Sequence, residues 1–143
     1  MEVEKFFGSN YTGTKDFTQQ KVPTANATGF GAAADDYMER GIDLNEQLIR
    51  NKPATFFMKV SSNNMINAGI YDGDIVIVDR SLKPLNGKIV IAVIDGEMMI
   101  RRYEKSMNSL RLIAETPKLS PIEVNEFMDF KIWGVVSCII RVI

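Results

Sequence analysis

From residue 55 onward the chain is written in short apolar segments separated by tight-turn dipeptides, and that rhythm confines it to antiparallel β structure. Segments 55–61, 74–79, 88–94, 97–104, 110–114 and 130–141 are rich in Val, Ile, Phe and Met, side chains that suit a pleated, half-buried surface. Asp72-Gly73, Asn86-Gly87 and Asp95-Gly96 punctuate them. Asp95-Gly96 is the strongest hairpin signal, because the two-residue turn whose twist matches its strands needs positive φ at both positions. Helical spacing occurs only earlier. Tyr37, Met38, Ile42, Leu44, Leu48 and Ile49 recur at intervals of one, three and four, which predicts two short helices divided near Gly41 and Asp43. Asp43 caps the second, and Asn51-Lys52-Pro53 ends it. Residues 1–28 have no sustained period and many turn formers. They read as an extended arm lying on a surface, with Phe6, Phe7, Phe17 and Val22 as its anchors. The expected fold is mainly β: a compact antiparallel domain with short N-terminal helices and an extended N-terminal arm.

At 143 residues the chain has one domain's worth of material for a core. It contains no histidine, which excludes Ser-His-Asp and Cys-His catalysis and every histidine-based metal site. Cys138 is the lone cysteine, so no internal disulfide and no thiolate cluster can form; its apolar surroundings predict a buried, inert thiol. No cofactor and no metal site is therefore expected. The formal net charge of -1 supplies no broad basic field for nucleic acid. No stretch approaches the roughly 20 apolar residues of a membrane span, and residues 1–7 lack the pattern of a signal peptide. A cytoplasmic protein with no membrane contact is the expectation.

Four segments carry a resemblance. The first is Gly29-Phe30, then Ala34-Asp35-Asp36-Tyr37-Met38-Glu39, Ile42-Asp43-Leu44-Asn45 and Leu48-Ile49. The second is Val60-Ser61-Ser62-Asn63-Asn64-Met65-Ile66, leading to Gly69-Ile70-Tyr71-Asp72-Gly73-Asp74-Ile75-Val76-Ile77-Val78-Asp79. The third runs from Gly87-Lys88-Ile89-Val90-Ile91-Ala92 through Asp95-Gly96-Glu97 to Ile100-Arg101-Arg102. The fourth is Ser120-Pro121-Ile122, with Trp133-Gly134-Val135-Val136 beyond it. In order and separation they resemble the LexA/UmuD family of self-cleaving serine–lysine peptidases, over residues 29–143, and most nearly its UmuD type. LexA-type repressors carry a helix-turn-helix domain before this region, for which the 28-residue arm is too short and irregular.

The resemblance implies a boundary at the family's self-cleavage bond. Residues 1–28 would be the removable arm and residues 29–143 the peptidase-like domain. It also implies a serine nucleophile just before the methionine and a lysine base on the strand after the Asp-Gly turn. This chain has Asn64 and Arg101 there. A carboxamide has no ionisable hydroxyl, and an arginine with a pKa above about 12 stays protonated and cannot serve as a base. The bond matching the cleavage site is Thr28-Gly29, where relatives place alanine or cysteine before the glycine; threonine is β-branched and stiffer. The chain is thus expected to keep the fold and lose the reaction. Ser61 or Ser62, with Lys59 or Lys105, are the residues from which a substitute nucleophile and base would have to come. Arg101 could pair with Asn64, Asp79, Asp95 or Glu97, and the sequence does not choose among them.

The leading functional expectation is a UmuD-like accessory subunit of the bacterial SOS DNA-damage response. The resemblance implies a homodimer that binds a Y-family (UmuC-like) polymerase, the RecA–single-stranded DNA filament and the replication clamp. The apolar run 132–143, which needs cover on both faces, is compatible with a dimer and equally with a core strand. One alternative is an active or engineered-inactive self-cleaving peptidase. Another is a repurposed DNA-binding or phage regulator, drawing on the basic group Arg101, Arg102 and Lys105 around Tyr103.

Overall fold

The computed structural model describes residues 2–7 and 41–143. The strands are β1 (Val3–Phe7), β2 (Thr55–Val60), β3 (Ile75–Asp79), β4 (Ile89–Ile94), β5 (Glu97–Lys105), β6 (Leu110–Ile113), β7 (Ile122–Glu123) and β8 (Phe130–Ile140), with one short helix, α1 (Leu44–Leu48). All eight strands join one antiparallel sheet in the order β1-β2-β3-β8-β4-β5-β6-β7. The six apolar segments read from sequence become β2, β3, β4, β5, β6 and β8, each within a residue of its expected limits. β1 and the two-residue β7 carry too little apolar pattern to be read from sequence.

The β4–β5 hairpin turns as expected. Asp95 at φ 50° and Gly96 at φ 83° give the paired positive dihedrals that match the twist of the flanking strands, and Ile94 stands opposite Glu97. β8 is the central strand. Its second half pairs with β3 and its first half with β4, and the register slips at Ser137 and Trp133. Gly134 is required by packing: a Cβ there would lie 2.5 Å from Val78 Cγ1.

Both faces of the sheet are covered, which explains the near-continuous apolar runs. Val3, Met58, Val60, Met65, Ile70, Val76, Val78, Ile91 and Ile100 form one core. Val90, Ala92, Met99, Tyr103, Leu112 and Val135 form the other. The division follows the period of two along β4 and β5: Ile91 and Ile100 face one core, Val90, Ala92 and Met99 the other. Cys138, expected to be buried, is only half-buried, because β8 passes into a less covered stretch where Ile139 is exposed.

α1 follows the capping expected of it, with Asp43 Oδ1 accepting from the Asn45 N–H at 2.9 Å. None of its own residues is buried. The earlier helix, the greater part of the arm and the Thr28-Gly29 bond lie outside the described residues. Within the arm, Val3–Phe7 is a strand of the sheet and not merely an extended segment on its surface. Val3 is 1% exposed in the first core, a burial that stabilises by about 1.5–3 kcal/mol.

Candidate functional site

Asn64 and Arg101 are presented by different kinds of backbone. Asn64 sits in the turn that leaves β2. Next to it, Met65 is buried in the core, while Asn63 Oδ1 accepts from the Asp72 N–H at 3.0 Å. A single 3₁₀ turn, Ile66–Ala68, follows and closes on Gly69 at φ 83°. These ties fix the turn on both sides of Asn64. Arg101 lies within β5, opposite Val90 of β4, and is 6% exposed.

The fold brings these two residues to one acceptor. Asn64 Nδ2 donates to Glu2 Oε1. Arg101 Nη1 donates to Glu2 Oε2 at 2.5 Å, and the Ile100 N–H reaches the same oxygen at 3.2 Å. Arg101 Nη1 also donates to the Ile100 carbonyl at 2.8 Å. The side chains of Arg101 and Glu2 are 7% and 15% exposed. A charge pair removed from water this far persists only if the remaining lone pairs and protons find partners, and here the amide and the backbone N–H supply them.

The partner of Arg101 is Glu2, and not Asn64, Asp79, Asp95 or Glu97. The expected alternatives are engaged elsewhere or distant in role: Asp79 Oδ1 accepts from Ser81, and Asp95 Oδ1 accepts from the Asp129 N–H. Asn64 and Arg101 meet through the Glu2 carboxylate. The chemical signal was present, since a buried arginine on an apolar strand requires an anion. Its partner, however, lies 99 positions away.

The backbone of Glu2 is also held. Its N–H donates to the Met98 carbonyl at 3.4 Å, and its carbonyl accepts from the Ser61 N–H at 2.7 Å. This position exists because β6 pairs with β5 only from Arg102 to Lys105. The first half of β5 is left with an open edge, whose polar groups need partners. Glu2 supplies them where the curled sheet brings the start of β1 to β5.

Lys59 and Lys105 are exposed. Ser62 Oγ is buried and has no hydrogen-bond partner among the described residues. The basic group around Tyr103 is dispersed by strand alternation. Arg101 enters the buried site, whereas Arg102 pairs with Glu115 at 2.5 Å and donates to the Gly87 carbonyl at 2.7 Å. Among the described residues no cluster of three or more His, Cys, Asp or Glu could hold a metal, and no helix is long and apolar enough to cross a membrane.

A second polar constellation lies on the turn between Gly69 and Asp74. Arg141 Nε and Nη2 grip the two oxygens of Asp74 at 2.7 and 2.6 Å, and Nη2 also donates to the Gly69 carbonyl at 2.7 Å. The guanidinium stands 4.6 Å from the Tyr71 ring centroid. Its hydrogen bonds hold the Asp74 carboxyl below its ordinary value of 3.8; burial opposes this, and the Tyr71 N–H adds to it. Asp74 in turn holds the Arg141 guanidinium above its ordinary range.

The peptidase S24-like family model matches residues 22–137. The chain belongs to this family, of LexA/UmuD type. Protein ImpA from Salmonella typhimurium is 38% identical over 121 residues, spanning 79% of this chain and 77% of that protein. Protein SamA from the same species is 37% identical over 115 residues, spanning 79% and 78%. LexA repressor 1 from Xanthomonas campestris is 38% identical over 115 residues, which is 80% of this chain and 57% of the repressor. The matched region contains both Asn64 and Arg101.

Proposed function

We propose that this chain is a non-cutting UmuD-like accessory subunit of the SOS DNA-damage response, acting through binding. Asn64 stands at the family's nucleophile position and Arg101 at its base position, with Thr28-Gly29 at the cleavage bond. The observation that carries the reading is the shared Glu2 carboxylate. Both positions are spent as hydrogen-bond donors to one anion, so neither is arranged to activate the other. An arginine committed to a carboxylate accepts no proton, and a carboxamide offers no alkoxide.

In this reading the domain of residues 29–143 keeps its 28-residue arm, forms a homodimer in the cytoplasm, and engages a Y-family polymerase, the RecA filament and the replication clamp. Its effect would be to compete with or restrain a cleavable relative. Direct DNA binding is less well supported, because Arg101 is buried and Arg102 is paired with Glu115.

The test is incubation of the purified chain with RecA, an ATP analogue and single-stranded DNA, followed by intact-mass analysis. The full 16.1 kDa chain is expected to persist. A fragment beginning at Gly29 would overturn the proposal. Pairing Asn64→Ser with Arg101→Lys then asks whether the cleft still accepts the arm: restored cleavage indicates an intact substrate path, and no cleavage indicates that the arm has left it.

A further inference from the structure

We infer that the Asn64–Arg101 site is a carboxylate-binding subsite, specific for a glutamate on an extended strand, with residues 2–7 as its tethered ligand. The site holds this ligand whatever the protein's partners are.

Glu2 is recognised through main chain and side chain together. Its N–H donates to Met98 on the open edge of β5, and its carbonyl accepts from Ser61 just beyond the end of β2. Asn64, Ile100 and Arg101 supply three donors to its carboxylate. The site therefore fits an acid. A glutamine at this position would turn its NH₂ group toward one of these donors, and donors facing donors repel. Val3 is buried in the core and Glu4 is exposed, so the strand is read as acid, then apolar, then free. Arg101 suits this role because its guanidinium stays protonated when buried, while Nη1 donates both to the carboxylate and to the Ile100 carbonyl.

The consequence is that the segment is a latch. Its pairing along β2 places Glu4 opposite Lys59 and Val3 opposite Val60. A competing strand could take that edge of β2 only after Glu2 releases Arg101.

Chemical rescue of the full-length Glu2→Ala chain tests the subsite. Truncation removes the carboxylate and leaves space beside Arg101 that a small free carboxylate can fill. Sodium propionate is expected to raise the melting temperature of Glu2→Ala saturably. The rise should be about 3–6 °C at ten times its Kd, since a ligand that binds only the folded state stabilises by mass action. Sodium chloride at equal ionic strength should not do this, nor should propionate on the native chain or on Glu2→Ala combined with Arg101→Met. Equal shifts with chloride, or an undiminished shift in the double variant, would overturn the inference. If Glu2→Ala does not fold, the native chain gives the answer by nitrogen-15 NMR of its arginine side chains. Arg101 Nη protons should exchange with water at least tenfold more slowly than those of exposed Arg50, and equal exchange would overturn the inference.

Discussion

Two arginine–carboxylate pairs tie remote segments of the chain to the same sheet, and they differ in which partner is buried. At the candidate site both members are shielded, Arg101 at 7% and Glu2 at 15% exposure. At the second, the carboxylate of Asp74 is 3% exposed while Arg141 is 48% exposed. Water solvates the free guanidinium of the second pair if the bond opens. It cannot do so readily for Arg101. The first pair should therefore behave as a commitment, in which losing one member strands the other, and the second as a clasp. The difference predicts that residues 2–7 stay seated on the Arg101 site when the exposed clasp opens.

The largest effect should follow Glu2→Ala, which leaves the Arg101 charge buried without its anion. We expect a loss of about 2–4 kcal/mol in urea unfolding, toward the lower part of the range for breaking buried pairs because Glu2 retains some exposure. Arg101→Met should cost somewhat less, about 1–3 kcal/mol, since Glu2 can turn toward solvent and methionine refills part of the volume. Replacing both, Glu2→Leu with Arg101→Met, should cost less than Glu2→Ala alone. A double variant weaker than either single one would break the comparison, because it would mean that the charges are not compensating each other.

The second pair predicts a smaller effect with a distinct pH signature. Asp74 holds its proton less readily in the folded state than in the unfolded chain. The unfolded state therefore binds more protons as pH falls, and the stability Asp74 contributes is present above about pH 3.8 and lost as pH drops through its lower folded value. Asp74→Asn should flatten the acid limb of a stability-against-pH curve below that point and leave its slope near neutrality unchanged. An unaltered acid limb would assign the acid sensitivity to other carboxylates. Arg141→Ala should have the smallest effect and the strongest salt dependence. Raising NaCl from 0.05 to about 0.5 M should shrink the difference between it and the native chain, while the Glu2→Ala difference should change little.

Much of this contrast could be read from residues, and its central contact could not. Strands β2 to β6 and β8 were legible because their apolar runs are long and several of their turns carry Asp-Gly or Asn-Gly. Asn64 and Arg101 stand in a recognisable spacing, and the structure places both on one carboxylate. Glu2 was not legible. In Glu2-Val3-Glu4-Lys5 only one apolar residue alternates with charges, too short a pattern to announce a strand. A contact across 99 positions is set by how the sheet curls and by β6 ending before the start of β5. The local charges Asp95 and Glu97 were closer in sequence, but one is held in the hairpin and neither meets Arg101.

The central claim is that Glu2 and Arg101 act as one unit in the cleft. A double-mutant cycle with Glu2→Ala and Arg101→Met, followed by urea unfolding, measures that unit directly. The account predicts a coupling free energy of about 1.5–3 kcal/mol; additivity to within about 0.3 kcal/mol would contradict it.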